Sequence, residues 1–162
     1  MSKQFWIFLA IGVGVVAVAL SAIWFGTKGA HLELTGNILK VRVLAAGEKA
    51  SLVVVDFRVT NPSSVPFVVN DVRLKLTTQT GELVEGAAAS RNAIDNVFKA
   101  QKLIGPHFND VLAVQDKVDG GKTLDRMTGA RFELPESAIN QRKGISLRLE
   151  DVDGTVAELT EK

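Results

Sequence analysis

The chain has 162 residues, 46% of them hydrophobic, with 19 Lys and Arg against 18 Asp and Glu and no cysteine. The missing thiols exclude a disulfide framework, a thiolate metal site and a cysteine nucleophile. All the acidic residues and all but Lys3 and Lys28 among the basic ones lie beyond residue 30, so that region carries no basic excess and speaks against a nucleic-acid surface.

The first predicted element is a membrane helix. Phe5 to Phe25 carries no charge, and Ser21 is its one clearly polar side chain. At ~1.5 Å rise per residue such a helix crosses a ~30 Å hydrocarbon core. Phe5, Trp6 and Phe8 mark one end and Trp24 and Phe25 the other, where amphipathic rings prefer the headgroup interface. The competing reading is a cleaved signal peptide, with Lys3 in its n-region and Leu20-Ser21-Ala22 near a cut. A cut after Ala22 strands the apolar Ile23-Trp24-Phe25 at a new terminus, so an uncleaved anchor is expected. Ala10, Gly14, Ala17 and Ser21 fall on one helical stripe where a second helix can approach closely. Small residues are also simply common in such helices. Flanking charge, Lys3 against Lys28, Lys40 and Arg42, does not fix the orientation. The short N-terminal tail suits a signal anchor. The expectation is therefore a single-pass protein of the inner (plasma) membrane, in contact with lipid, with its domain on the periplasmic or extracytoplasmic side.

Residues 1–29 thus form anchor and linker, and residues 30–162 a single domain. In Ile38 to Leu44, Lys40 and Arg42 alternate with Leu39, Val41 and Val43, the pattern of a half-buried strand. Ser51 to Thr60 repeats it, with Val53, Val55, Phe57 and Val59 on one face and Asp56 and Arg58 on the other. The two runs are expected to pair across Ala45 to Ala50. Asn61-Pro62-Ser63-Ser64 is a turn cluster, followed by an extended run to Leu76 with Asn70-Asp71 as a candidate bulge. Thr80-Gly81 closes a hairpin into Glu82 to Glu85.

Between Ala87 and Leu103 the period changes to that of a helix. Ser90 is placed to cap it, with Ile94, Val97, Phe98 and Gln101 on one side and Gly105-Pro106 as the stop. A short strand at Val111 to Val114, a turn at Asp119-Gly120-Gly121 and a long strand from Thr123 to Leu134 follow, with Pro135-Glu136-Ser137 as a stop. Ile145, Leu147 and Leu149 alternate with Ser146, Arg148 and Glu150, and a turn at Asp151 to Gly154 leads to Val156 and Leu159. Seven or eight short strands with regular turns predict a mainly β fold: an antiparallel sandwich with one short helix, behind one transmembrane helix.

Two stretches carry a family resemblance. Val53-Val54-Val55-Asp56-Phe57-Arg58-Val59-Thr60-Asn61-Pro62, leading to Val72-Arg73-Leu74-Lys75-Leu76, resembles the strand, Asn-Pro turn and strand of the group 2 late embryogenesis abundant, or water-stress, domains. Ala130-Arg131-Phe132-Glu133-Leu134-Pro135, with Gly120-Gly121-Lys122-Thr123 ahead of it, is similar to the telokin-like domains of bacterial envelope proteins. The resemblance implies an immunoglobulin-like β-sandwich carried behind a membrane anchor, and it implies no catalytic residue.

Little in the residues points to chemistry. His31 and His107 are the two histidines, and no Gly-x-Ser-x-Gly elbow accompanies them. Glu150, Asp151 and Asp153 before Gly154 lack the later bidentate Glu of a calcium loop. Gly120-Gly121-Lys122-Thr123 lacks the earlier glycine and the following helix of a phosphate loop, and reads as a turn. No catalytic residue, metal site or cofactor is expected. The leading expectation is a non-enzymatic interaction module, an accessory or stabilising subunit of a larger membrane complex. The alternative is an apolar-ligand or lipid site between the sheets, lined by Phe57, Phe67, Phe98 and Phe132, or a role in envelope stress protection. A hydrolase built on His107 with carboxylates and a nucleophile is the third, control reading.

Overall fold

The computed structural model describes residues 3–27 and 33–161, without the side chains of 3, 7–11, 22–27 and 103. The chain divides into two compact units, residues 1–31 and 32–162.

The first unit holds helix α1, Lys3–Thr27, unbroken over 25 residues. Among the residues described with their side chains no helical stretch is long and apolar enough to cross a membrane. Within α1 the longest stretch so described, residues 12–21, is exposed throughout.

The second unit is built from two antiparallel sheets. Strands β1 (Thr35–Ala45), β2 (Ser51–Thr60), β5 (Ala87–Ala88) and β7 (Thr123–Phe132) make the first, in the order β1-β2-β7-β5. Strands β3 (Phe67–Thr77), β4 (Leu83–Glu85), β8 (Gly144–Asp151) and β9 (Val156–Thr160) make the second, in the order β4-β3-β8-β9. The short β6 (Lys117–Val118) adds to β3. Helix α2 (Arg91–Ala100), a 3-10 turn at Lys102–Ile104 and the one-turn α3 (Glu136–Asn140) complete the described unit.

The sheets share one core. Val53, Val55, Phe57 and Val59 of β2 pack with Leu74 and Leu76 of β3 and Leu147 and Leu149 of β8. These side chains alternate along their strands, because successive Cβ atoms point to opposite faces. The hairpin β1-β2 pairs as its sequence predicts, from Thr35 opposite Thr60 to Ala45 opposite Ser51. The predicted bulge at Asn70-Asp71 appears as a register shift in the β3-β8 pair between Val69 and Asp71.

Four expectations are corrected. In β1 the register shifts between Ile38 and Lys40, which leaves Leu39 46% exposed while Ile38, Val41 and Val43 face the core. A bulge adds one residue and inverts the alternation downstream of it. In β2 the supposed solvent face is covered: Leu52, Val54 and Asp56 are buried, and of that face Arg58 alone is exposed. Ala87-Ala88 is a strand edge on β7 and not part of the helical segment. Val111 to Val114 forms no named strand, only an isolated bridge from Val111 to Met127.

Candidate functional site

The cover over β2 is where the molecule departs from a plain two-layer fold. Helix α2 begins where Ser90 leaves the extended conformation and its Oγ accepts from the Ala93 amide at 3.3 Å, satisfying one of the free donors of the first turn. Ile94 is fully buried and packs with Leu52, Val54 and Met127 on the outer face of the first sheet, with Val97 and Phe98 alongside. Gly129 makes room for it: a Cβ there would sit 3.2 Å from Ile94 Cδ1 and 3.2 Å from the Val53 carbonyl.

The chain from 101 to 110 is held down by a buried charge. Arg42, 6% exposed, forms an ion pair with Asp56, 4% exposed, through both Nε and Nη2. Its Nη1 donates to the Pro106 carbonyl at 2.9 Å and the Ile104 carbonyl at 3.4 Å, and its guanidinium lies 5.0 Å from the centroid of the Phe98 ring. Asn109 Nδ2 donates to the second Asp56 oxygen at 3.0 Å. Every oxygen of Asp56 is therefore occupied, as a buried carboxylate requires. Alternation alone puts Arg42 and Asp56 on the half-exposed faces of their strands. The signal that marks them as a pair is that the opposite charges lie diagonally on the outward face of two paired strands.

Residues 110–118 then lace the two sheets together. Leu112 and Asp110 exchange backbone hydrogen bonds with Met127 of β7, at 2.8 and 3.0 Å. Gln115 and Asp116 do so with Val69 of β3, at 2.7 and 2.9 Å. Between them the chain turns through Gln115 at φ 73°, a left-handed conformation that non-glycine residues seldom adopt. Asp116 stabilises that turn by accepting from the Ala113 amide at 2.8 Å, and also pairs with Arg91 of α2 at 2.6 Å.

A second corner is knitted by Asn61, 1% exposed. Its Nδ2 donates to the carbonyls of Val65 and Val118 at 2.8 Å each, and its Oδ1 accepts from the amide and hydroxyl of Ser63 at 3.0 and 2.7 Å. The Gly120-Gly121 turn packs on it, with the Gly121 amide donating to the carbonyls of Asn61 and Ser63. On the exposed part of the first sheet, Arg58 and Asp125 face each other in register and meet through two hydrogen bonds of 2.7 and 2.8 Å. The hydrogen bond first, then the charge, raises the Arg58 pKa. The same bond holds the Asp125 carboxyl below the usual carboxylate range.

Three hollows follow the exposed ridge of α2, on which Arg91, Asp95 and Lys99 recur every fourth residue. The first, about 350 Å3, is mainly apolar and lined by Ala88, Ala89, Leu112 and Val114. The second, about 290 Å3, is charged and lined by Asp95, Asp110, Asp116, Lys117 and Arg126. The third, about 330 Å3, lies by Phe98 and Lys99. Arg91 lines the first and second, and Asp95 and His107 the second and third, so the three hollows adjoin in a row along α2, a trough divided by these side chains. Phe108, 70% exposed, stands next to His107 in the chain, and Val114, 55% exposed, lies by the apolar end.

Of the residues the sequence singled out, His107 is in this trough, its Nε2 3.1 Å from Asp95 Oδ1 and its ring edge-on to Phe98 at 4.9 Å. Asp110 and Asp116 line the same charged hollow, and Ser90 and Thr128 line the adjoining apolar one. Phe57, Phe67 and Phe132 lie in the shared core at 3% exposure or less, whereas Phe98 packs on the opposite side of the first sheet. The four phenylalanines proposed to line one ligand space do not share one. Asp151 is buried and its Oδ1 accepts from the Val68 amide at 3.0 Å, which directs it into the fold and away from any calcium loop. Among the described residues no group of three His, Asp or Glu side chains is placed to hold a metal ion.

On α1, Phe5 and Trp6 are exposed and meet edge-on at 6.1 Å. Gly14, Ala17 and Ser21 are exposed, a Cβ at Gly14 meets nothing within 4 Å, and Ser21 Oγ donates to the Ala17 carbonyl at 2.7 Å. Ala10, Trp24 and Phe25 lie on this helix outside the residues described with side chains, and His31 lies outside the described residues altogether. In comparisons with known proteins, no family model and no curated sequence matches the chain.

Proposed function

We propose that the chain is a membrane-anchored, non-enzymatic interaction module, an accessory or stabilising subunit of a larger membrane complex, with α1 as its anchor and an immunoglobulin-like sandwich as its working part. The observation that carries this reading is the surface of α1. Val13, Val15, Val16, Val18 and Leu20 are 57–71% exposed, and at ~100° per residue they point all round the helix. An apolar cylinder of that kind is stable where something other than water covers it. Lipid does so over a helix ~37 Å long, the rise of its 25 residues at ~1.5 Å each. The Ser21 hydroxyl suits that setting, since its bond to the Ala17 carbonyl leaves no unmet donor in hydrocarbon.

The test is extraction followed by native sizing of the full chain. The protein is expected to stay with membranes through an alkaline carbonate wash, to come off in mild detergent, and to migrate with more mass than one chain and its micelle. Release by the carbonate wash alone refutes the anchor. Migration as a bare monomer under every mild detergent condition refutes the complex.

A further inference from the structure

The apolar hollow beside α2 is lined from both sheets, by Val72 of β3 and by Ala88 of β5 and Thr128 of β7, with Leu112 and Val114 from the segment that laces the sheets together. Thr128 stands opposite Val55, a core residue, so its side chain points between the sheets. It is 5% exposed, and its hydroxyl makes no hydrogen bond to a described residue. Among those residues Arg148 Nε is the one unpartnered polar side-chain atom that is fully enclosed, so the Thr128 oxygen opens onto the hollow that its residue lines. A buried hydroxyl is ordinarily satisfied within the fold, because leaving it bare forfeits the hydrogen bonds it made in water.

The other polar side chains of the lining are engaged. Asp71 pairs with Arg73 at 2.5 Å and accepts from the Val72 amide at 2.9 Å. Arg91 pairs with Asp116 at 2.6 Å and donates to the Val111 carbonyl at 3.0 Å. Ser90 Oγ accepts from the Ala93 amide. Each charge at the rim is answered by a neighbour, so none is left to select an ion, and one hydroxyl among aliphatic walls remains to discriminate between ligands. At about 350 Å3 the space lies at the small end of ligand pockets, ~300–1,000 Å3.

We propose that this hollow is a binding site for a small neutral molecule that is apolar except for one hydroxyl or carbonyl oxygen. That oxygen is hydrogen-bonded to Thr128, and the aliphatic or aromatic body lies against Val72, Leu112 and Val114. The site goes beyond the interaction reading and does not rest on it. A hydroxyl both donates and accepts, so an alcohol or a ketone is served equally, whereas a carboxylate or an ammonium group loses its hydration for a single hydrogen bond. Burial of the body supplies most of the affinity, and Thr128 fixes the orientation. A hydroxyl kept bare for a ligand costs the unliganded fold stability, so its removal separates a binding role from a structural one.

The probe is benzyl alcohol, titrated into the full chain in lipid nanodiscs and followed through the amide resonances of residues 88–90, 112–114 and 128. Ethylbenzene has the same shape without the oxygen, and benzoate and benzylammonium carry charge in its place. Saturable shifts confined to those amides are expected with benzyl alcohol, and binding roughly tenfold weaker or more with either ion. Thr128→Val is expected to weaken benzyl alcohol about fivefold, the worth of one neutral hydrogen bond, and to leave ethylbenzene within about twofold. Thr128→Ser, which restores the hydroxyl, is expected to bind the alcohol within about twofold of the parent chain. Ala88→Leu, at an exposed position of the lining, is expected to abolish the shifts by filling the hollow. Without ligand, Thr128→Val is expected to unfold at the parent's temperature or above it, since it deletes an unpartnered hydroxyl. No saturable shift at these amides, equal weakening of both uncharged probes by Thr128→Val, or tighter binding of either ion overturns the proposal. So does a Tm for Thr128→Val more than about 4 °C below the parent's, which marks the hydroxyl as structural. None of these outcomes depends on whether the chain joins a larger assembly.

Discussion

Cutting one half of the Arg42–Asp56 pair is the sharpest test of how the outer layer is held. Arg42→Met keeps the aliphatic stem and removes the guanidinium. Asp56 is then left 4% exposed with Asn109 as its one remaining partner, and the carbonyls of Ile104 and Pro106 lose their donor. Breaking a buried pair from one side costs about 3–5 kcal/mol, because an uncompensated charge stays behind. For a folded unit of roughly 130 residues, at about 2 cal/mol/K of unfolding entropy per residue, that is a fall in Tm of about 12–19 °C. Asp56→Leu leaves Arg42 with two carbonyls and the Phe98 ring, and the loss is expected at the lower end of the same range. The double change removes both charges together, so its loss is expected to be smaller than the sum of the two by about 2 kcal/mol or more. The assay is thermal unfolding of the full chain in detergent, followed by the far-ultraviolet signal of the sheets, with amide exchange read over residues 101–110. Additive losses, or a single-site loss under about 1 kcal/mol, refute the argument that this pair is what holds the layer down.

Other perturbations separate the remaining supports. Asn61→Ala removes two donated and two accepted hydrogen bonds at a 1% exposed site, and is expected to cost about 2–4 kcal/mol by denaturant titration, with Asn61→Asp no better because a carboxylate cannot donate. Gly129→Val drives a side chain against Ile94 and the Val53 carbonyl, and is expected to cost about 1–3 kcal/mol and to raise amide exchange in α2 first. At Gln115, glycine is expected to be tolerated, whereas valine at φ 73° is expected to lose about 1–2 kcal/mol. The Asp125 carboxyl is held below its unfolded value, so its contribution is complete above pH ~4 and fades as pH falls through the folded value. Asp125→Asn is therefore expected to flatten the acid limb of a Tm-against-pH curve below pH ~4 while leaving its shape at neutral pH unchanged, and the effect is modest because both partners are exposed.

Local pattern made much of the sheet legible. Alternating apolar residues located β2, β3, β7 and β8, and Ser90 with Gly105-Pro106 bounded α2 to within a few residues. The extra residue at Leu39 escaped the pattern, since a bulge changes no residue type and only inverts which face the next side chains take. The segment 110–118 escaped it too, because its hydrogen bonds go to strands of two different sheets and leave no period along its own sequence. Of the trough, His107 was visible as a rare residue type. Arg91, Lys117 and Arg126 look like any exposed cations until the fold brings them around one space.

By itself the sequence determined the uncharged helical run at Phe5 to Phe25, the strand-rich character of the remainder and the turns that end its strands, since each depends on neighbours within a few residues. Which sheet each strand joined was decided only by tertiary structure: β2 and β3 are consecutive yet lie in different layers, on opposite sides of one core. The same holds for the outward face of β2. Its residues alternate as though half of them met water, and it is the docking of α2 and the clamp of Arg42 that takes them out of it. Burial depends on what arrives from elsewhere in the chain, and alternation alone records no arrival.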